Sequence, residues 1–321
     1  MPERGVSDRI VAIVEELPAE QRAALERALP EGWSLGVGQP ALSEAEVVIV
    51  RDGELTETEI DLAPHLRRVV QIDVGGGTVD ASACEKRQIQ VQLVASPSLN
   101  SVAEHTVMLM LMLFKRSVDA MARLRDGVIV GGVEPEVTTQ ESYAYNWVGL
   151  EQFDALYGKT IGLVGLGRIG RHTAKLLRCF GCEVLYTKPN RLAEPDEARL
   201  GVRYRPFDDL LREADCVSLH HRFTPETERT MGAREFGLMR PGSFFVNAAR
   251  GRLVDEKALA EALETGYLAG AALDVFWYEP LPTDSPLLRA PRLLLTPHTG
   301  GIPMAESQVL ELQEGARLAV V

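Results

Sequence analysis

The run Thr160-Ile-Gly-Leu-Val164, followed at once by Gly165-Leu-Gly-Arg-Ile-Gly170 and then by a helical stretch to Phe180, decides the fold. A bare G-x-G-x-x-G is a weak signal, but one set between a buried strand and a helix has a mechanism. Gly165 permits the tight turn, Gly167 lets a pyrophosphate approach the backbone, and Gly170 lets helix and strand pack closely. The helix start then offers N–H groups and partial positive charge to phosphates. The alternative is a purely structural turn.

Outward from this turn the βα alternation continues in both directions. Downstream, strands are expected at 183–186, 216–220, 244–246, 269–273 and 293–296, with helices between them. One helix is well punctuated: Asp255 starts it, Leu259, Ala262 and Leu263 form its apolar face, and Gly266 stops it. Upstream, strands at 10–14, 47–50, 69–72 and 90–93 alternate with helical patterns at 18–29 and 56–66. The fold class is therefore α/β with two open parallel-sheet domains, which suits a chain of 321 residues. Residues 102–115 predict a helix apolar all round, buried between domains or against a second subunit. Residues 127–150 read as a long irregular connection.

The residue that selects the cofactor belongs about 20 positions beyond the glycines, where an acid would hold the ribose 2'-hydroxyl of NAD. Here the chain reads Tyr186-Thr-Lys-Pro-Asn-Arg191, with no acid. Thr187, Lys188 and Arg191 suit a 2'-phosphate, so the reading favours NADP over NAD, against the alternative of solvated loop cations.

Three segments follow predicted strands directly: Asn247-Ala-Ala-Arg-Gly251, Leu273-Asp-Val-Phe-Trp-Tyr-Glu-Pro280 and Thr296-Pro-His-Thr-Gly-Gly301. The carboxyl ends of strands in an open α/β sheet line the ligand crevice, so one site can collect all three. Arg250 offers a guanidinium fork for a carboxylate. His298 can exchange a hydroxyl proton near neutral pH, and Glu279 beside it can orient the imidazole. Taken singly, these could be a surface ion-pair partner, a loop histidine and a turn acid. Together they fit hydride exchange between a nicotinamide cofactor and a small 2-oxo or 2-hydroxy acid.

Composition narrows the field. A net charge of −12 argues against nucleic-acid binding. No apolar run is long enough to span a membrane and no signal peptide opens the chain, so a cytoplasmic setting is expected. Four cysteines do not make a disulfide framework, Cys179 and Cys182 read as packing residues, and no metal site is expected.

These motifs resemble the D-isomer-specific 2-hydroxyacid dehydrogenase family over about residues 74–301, most densely in Phe245-Val-Asn-Ala-Ala-Arg-Gly-Arg-Leu-Val-Asp-Glu-Lys-Ala-Leu259, Gly270-Ala-Ala-Leu-Asp-Val-Phe276, Glu279-Pro280 and Thr296-Pro-His298. The resemblance implies a flavodoxin-like substrate domain, residues 1–101 and 299–321, into which a Rossmann-type dinucleotide-binding domain, residues 102–298, is inserted. It also implies a homodimer. The family's catalytic Arg, Glu and His fall on Arg250, Glu279 and His298, its nicotinamide-amide acid on Asp274, and its pyrophosphate turn on Arg168 and Ile169. Its carboxylate-binding loop falls on Val74, Gly75, Gly76 and Gly77, a backbone nest. Two departures stand out. His220-His-Arg-Phe-Thr224 lacks the usual proline, which implies Arg222 near the adenine ribose. Ser98 replaces a common Asn. From the length of 321 residues, the regulatory domain of long phosphoglycerate dehydrogenases is not expected. Formate-oxidising relatives carry Gln at the position of Glu279. A phosphite-type dehydrogenase and a dinucleotide-sensing corepressor are the other readings.

Overall fold

The computed structural model describes residues 9–51, 53–73 and 78–320. It divides into two compact units, residues 1–99 with 301–321, and residues 100–300. In chain order the strands of the first unit are β1 (Arg9–Ile13), β2 (Trp33–Val37), β3 (Ala45–Val50), β4 (Glu54–Leu55), β5 (Arg68–Asp73), β6 (Thr78–Val79) and β7 (Gln90–Ala95). Five of them form a parallel sheet in the order β2-β1-β3-β5-β7, the flavodoxin-like arrangement, and β4 pairs with β6. Both faces are covered, as an all-parallel sheet requires. Ala12, Val48, Val50 and Val69 pack with Leu42, Leu55 and Ile60 on one side, while Val11, Ile13, Ile49 and Val70 meet Leu25, Leu312 and Ala316 on the other. Leu312 and Ala316 belong to the last helix, Met304–Ala319. Glu311 anchors that helix: fully buried, it accepts from Arg51 Nε at 3.1 Å, from Ser307 Oγ at 2.7 Å and from Ser96 Oγ.

The central unit carries β8 (Thr160–Val164), β9 (Glu183–Thr187), β10 (Val202–Tyr204), β11 (Cys216–Leu219), β12 (Phe244–Asn247), β13 (Gly270–Leu273) and β14 (Leu293–Leu295). They form one parallel sheet in the order β10-β9-β8-β11-β12-β13-β14, which is the Rossmann order extended by one strand. Strand order reverses around β8, so the carboxyl end of β8 is the topological switch point. Val107, Leu109, Met110, Leu113 and Phe114 of the helix Pro97–Lys115 cover one face with Ile161 and Leu163. Leu210, Phe236, Leu259 and Leu263 cover the other with Val217 and Phe245.

Four elements depart from the expectations. Strand β2 is broken in sequence by Gly36, yet a Cβ there would lie 2.4 Å from Ala41 Cβ, so this glycine serves close packing and ends nothing. Strand β10 is a three-residue edge strand, too short to show a period. The helix Ser117–Arg125 buries no residue, because its apolar Val118, Met121 and Leu124 face outward. The helix expected at 102–115 starts earlier, at Pro97, and it is not buried all round: Met108 is 40% exposed. Residues 126–159 contain neither helix nor strand.

Candidate active site

The glycine turn at the switch point has the geometry its residues predict. Gly165 has φ +98°, and a Cβ there would sit 2.7–2.8 Å from the backbone of His220 and His221. A Cβ on Gly170 would lie 2.9 Å from the Gly165 carbonyl oxygen, so only glycine lets the helix Arg168–Cys179 approach β8 this closely. At Gly167 the nearest atom to such a Cβ is 4.0 Å away, and that side of the turn is open. Gly167 is also the N-cap and brings no capping side chain, so none competes with an anion for the first-turn amides of Arg168, Ile169 and Gly170. Beneath the turn lies His220, whose Nε2 meets Ser218 Oγ at 3.0 Å. Desolvation, helped by His221 next to it, pushes His220 down to about 3, so this ring is neutral near pH 7.

At the end of β9, the Gly165 N–H donates to the Thr187 carbonyl at 2.9 Å, which sets Thr187 and the half-buried Lys188 beside the turn. Arg191 is not held ready for a phosphate. Its Nε and Nη2 grip Glu197 at 2.8 and 2.9 Å, and its guanidinium carbon lies 5.5 Å from the Tyr204 ring centre. Tyr186 Oη donates to the same carboxylate at 2.7 Å and accepts the Leu192 N–H at 2.9 Å. Arg191 and Tyr186 together hold Glu197 down to about 2, while burial and Glu197 push Tyr186 up to about 12.

The other charged residues gather after β12, β13 and β14. Asn247 shapes its own loop: its Oδ1 accepts the Ala249 N–H at 3.0 Å and its Nδ2 donates to the Arg250 carbonyl at 2.9 Å. Next to it, Gly251 is irreplaceable on steric grounds, since a Cβ would fall 1.9 Å from the Phe276 carbonyl carbon and oxygen. This backbone contact brings the Arg250 loop against the Glu279 loop. Arg250 is exposed and donates only to the Ala249 carbonyl, at 2.6 Å, with no carboxylate partner among the described residues. Glu279 Oε1 accepts the Phe276 N–H at 3.0 Å, and its Oε2 lies 2.6 Å from His298 Nδ1. Burial tends to raise the Glu279 pKa, but His298 and the Phe276 amide outweigh it and hold the carboxyl below its ordinary value. With Nδ1 committed to Glu279, Nε2 is the nitrogen left to exchange a proton with a ligand.

His298 is itself in the left-handed region, at φ +55°. Asp274, 2% exposed, holds that turn in place. It accepts from Thr296 Oγ1 at 2.6 Å and from the N–H groups of Thr299 and Gly300, each at 2.9 Å. His105 Nε2 adds a contact at 3.3 Å. The clamp joins residues far apart in sequence, and only the motif letters around Asp274 and Thr296 announced it.

Arg222, Arg250, Arg252, Phe223, Trp277 and Glu279 line one cavity of about 540 Å³ at the ends of β11, β12 and β13. The structure thus brings Arg222 together with Arg250 and Glu279. Arg252 was not singled out from sequence. It pairs with Glu228 and stacks on Phe223 and Trp277, with centroid distances of 4.3 and 5.4 Å. Val74, Gly75 and Gly76, expected to bind a carboxylate, lie outside the described residues. Among the described residues no cluster of acidic, His and Cys side chains could hold a metal ion, and no helix is long and apolar enough to cross a membrane. The four cysteines are free thiols.

A parallel seven-stranded sheet with an open glycine turn at its switch point defines a dinucleotide-binding α/β protein. Residues 107–300 match the sequence profile described as D-isomer specific 2-hydroxyacid dehydrogenase, NAD binding domain. Over 319 residues the chain is 35% identical to D-3-phosphoglycerate dehydrogenase of Mycobacterium leprae, covering 97% of this chain and 57% of that protein. It is 37% identical over 238 residues to glyoxylate reductase of Korarchaeum cryptofilum, covering 74% and 68%. Among solved structures, D-lactate dehydrogenase from Aquifex aeolicus complexed with NAD and lactic acid is 26% identical, with coverage of 97% and 94% and a TM-score of 0.57. The chain belongs to the D-isomer-specific 2-hydroxyacid dehydrogenase family. It spans little more than half the length of the mycobacterial relatives it matches.

Proposed function

We propose that this protein is an oxidoreductase that passes hydride between NADP(H) and a small 2-oxo or 2-hydroxy acid of D configuration, with reduction the working direction. The observation that carries the reading is the 2.6 Å contact of His298 Nδ1 with Glu279, beside a guanidinium, Arg250, with no carboxylate partner among the described residues. Arg250 binds the substrate carboxylate in its fork and draws density from the neighbouring C2 oxygen. His298 Nε2 gives its proton to that oxygen as C2 becomes a secondary alcohol, or takes it back in oxidation. Glu279 fixes the imidazole tautomer and stabilises the imidazolium. When bound, the nicotinamide supplies or accepts the hydride.

The residues present fit such a cofactor. Gly165, Gly167, Arg168, Ile169 and Gly170 cradle the pyrophosphate, and Asp274 faces the carboxamide while holding the His298 turn. Thr187 and Lys188 take the 2'-phosphate. Arg191 contributes indirectly, by tying up Glu197 of the following helix. Residues 102–298 serve as the cofactor domain, and residues 1–101 with 299–321 as the acid-binding domain, with Val74, Gly75 and Gly76 supplying backbone amides. A second copy of the chain covers the exposed Met121, Leu124, Tyr145 and Trp147, which line an apolar hollow of about 390 Å³, making a homodimer in the cytoplasm. The test is a spectrophotometric panel of 2-oxo acids with each reduced cofactor. Turnover with NADPH at a higher kcat/KM than with NADH is expected. A clear NADH preference would overturn the 2'-phosphate assignment, and no turnover of any acid would overturn the enzyme reading.

A further inference from the structure

Resting on that reading, we infer that Ser101 and His105 are positioning residues for His298. One face of the helix Pro97–Lys115 holds, by both of its ends, the turn that carries the proton-exchanging ring. The ring needs such a hold. Its side chain is 50% exposed and that of Glu279 is 37% exposed, so packing fixes neither of them. Direction must then come from the backbone of residues 296–300, where His298 takes a left-handed conformation, φ +55°, uncommon for a residue with a Cβ.

The two grips bracket His298. Ser101 Oγ donates to the carbonyl of Gly300, two residues after it, at 2.9 Å. His105 Nε2 meets Thr296 Oγ1, two residues before it, at 3.0 Å. Ser101 and His105 are four apart in the helix and so lie one above the other on one face, in step with the two ends of the turn. The protons set the direction of each bond. The Thr296 hydroxyl has one proton and gives it to Asp274 Oδ1 at 2.6 Å, and Nε2 of His105 lies 3.3 Å from that same oxygen. A lone pair on Nε2 would face negative charge, so Nε2 carries the proton and donates to Thr296. His105, Thr296 and Asp274 therefore form one directed chain, in which each bond strengthens the next. Gly300 lets the chain close, since a Cβ there would lie 2.9 Å from Asp274 Oδ2 and 3.4 Å from His105 Cδ2. The His105 side chain is only 11% exposed, and its helix runs on through the buried Leu109, Met110 and Leu113. The anchor is set in the core, while the ring it aims stays open to a ligand.

His105→Leu removes the donor at similar volume. Its kcat for the best acid of the panel is expected to fall about 100-fold, the scale of a misplaced catalytic group, with KM for the acid and the Kd for NADPH as in the wild type. His105→Gln, whose amide N–H can reach the Thr296 hydroxyl, should recover most of that loss, and Ser101→Ala should lower kcat by a smaller factor. Because both residues act through His298, His105→Leu should lower kcat no further in a His298→Ala background. A further fall there, or a weakened NADPH Kd, would overturn the assignment, because the loss would then run through Asp274 or the fold. Proton NMR gives a readout that needs no turnover. The downfield Nδ1–H signal of His298 against Glu279, identified by its disappearance in His298→Ala, should persist in His105→Gln and be shifted or lost in His105→Leu and Ser101→Ala. An unshifted signal would overturn the anchoring whatever the turnover. A signal that depends on His105 in a protein that turns over no acid would uphold the anchoring and overturn hydride transfer. Should His105→Leu fail to fold, Ser101→Ala decides by the same signal.

Discussion

Two regions of the central sheet each combine an arginine, a glutamate and a ring, and the fold treats them in opposite ways. After β9, Arg191, Glu197 and Tyr186 close on one another, so every charge is matched from within. After β12 to β14, Glu279 and His298 meet, but Arg250 is held apart by the Asn247 loop and is left facing a cavity. The same residue types make a structural knot in one place and leave a guanidinium facing a cavity in the other. What distinguishes them is whether the backbone lets the opposite charges find each other.

That contrast can be broken by substitution. His298→Ala should lower kcat about 1000-fold, the middle of the range for a lost proton donor, while NADPH binding measured by fluorescence is unchanged. Retained turnover would move the proton elsewhere. Arg250→Gln should lower kcat/KM for every acid about 100-fold, as expected for a lost charged fork, whereas Arg191→Gln should leave kcat/KM near wild type and lower the denaturation midpoint instead. Equal kinetic losses in the two variants would erase the distinction. The smallest effect is in pH dependence. Glu197 is depressed from 4.5 to about 2 in the folded protein, so its contribution to stability is full above about pH 4.5 and disappears as pH falls toward 2. Denaturant melts across that window should show a shallower loss in Glu197→Gln than in the parent. An identical slope would mean that the knot is not ionised as described.

Much of this organisation was legible in the chain because it rests on local rules. The glycines at 165, 167 and 170 each answer a separate steric demand within one turn, and Asp255 caps its helix through the N–H groups of Lys257 and Ala258 as its position announces. Strands with continuous apolar runs were visible for the same reason. Strand β2 was hidden because Ser34 and Gly36 interrupt its apolar run, and Gly36 is there for close packing against Ala41 and Ile10. In the candidate site, Arg250, Glu279 and His298 could be picked out by their place after strands. The engagement of Arg191 could not: Glu197 lies six residues on, beyond a turn, and Tyr186 joins from the strand. Nor could the neighbourhood of Arg222, since the cavity that defines it is assembled from three separate loops.

The contact of Gly251 with the Phe276 backbone bears on which parts of this cavity are free to vary. Because Gly251 lies against the Phe276 main chain, the spacing between the Arg250 loop and the Glu279 loop is set by backbone contact. Arg222, Phe223 and Trp277, which line the cavity, can therefore be exchanged without moving the two loops against each other. The lining of the cavity is open to variation, and the seam between its two loops is not.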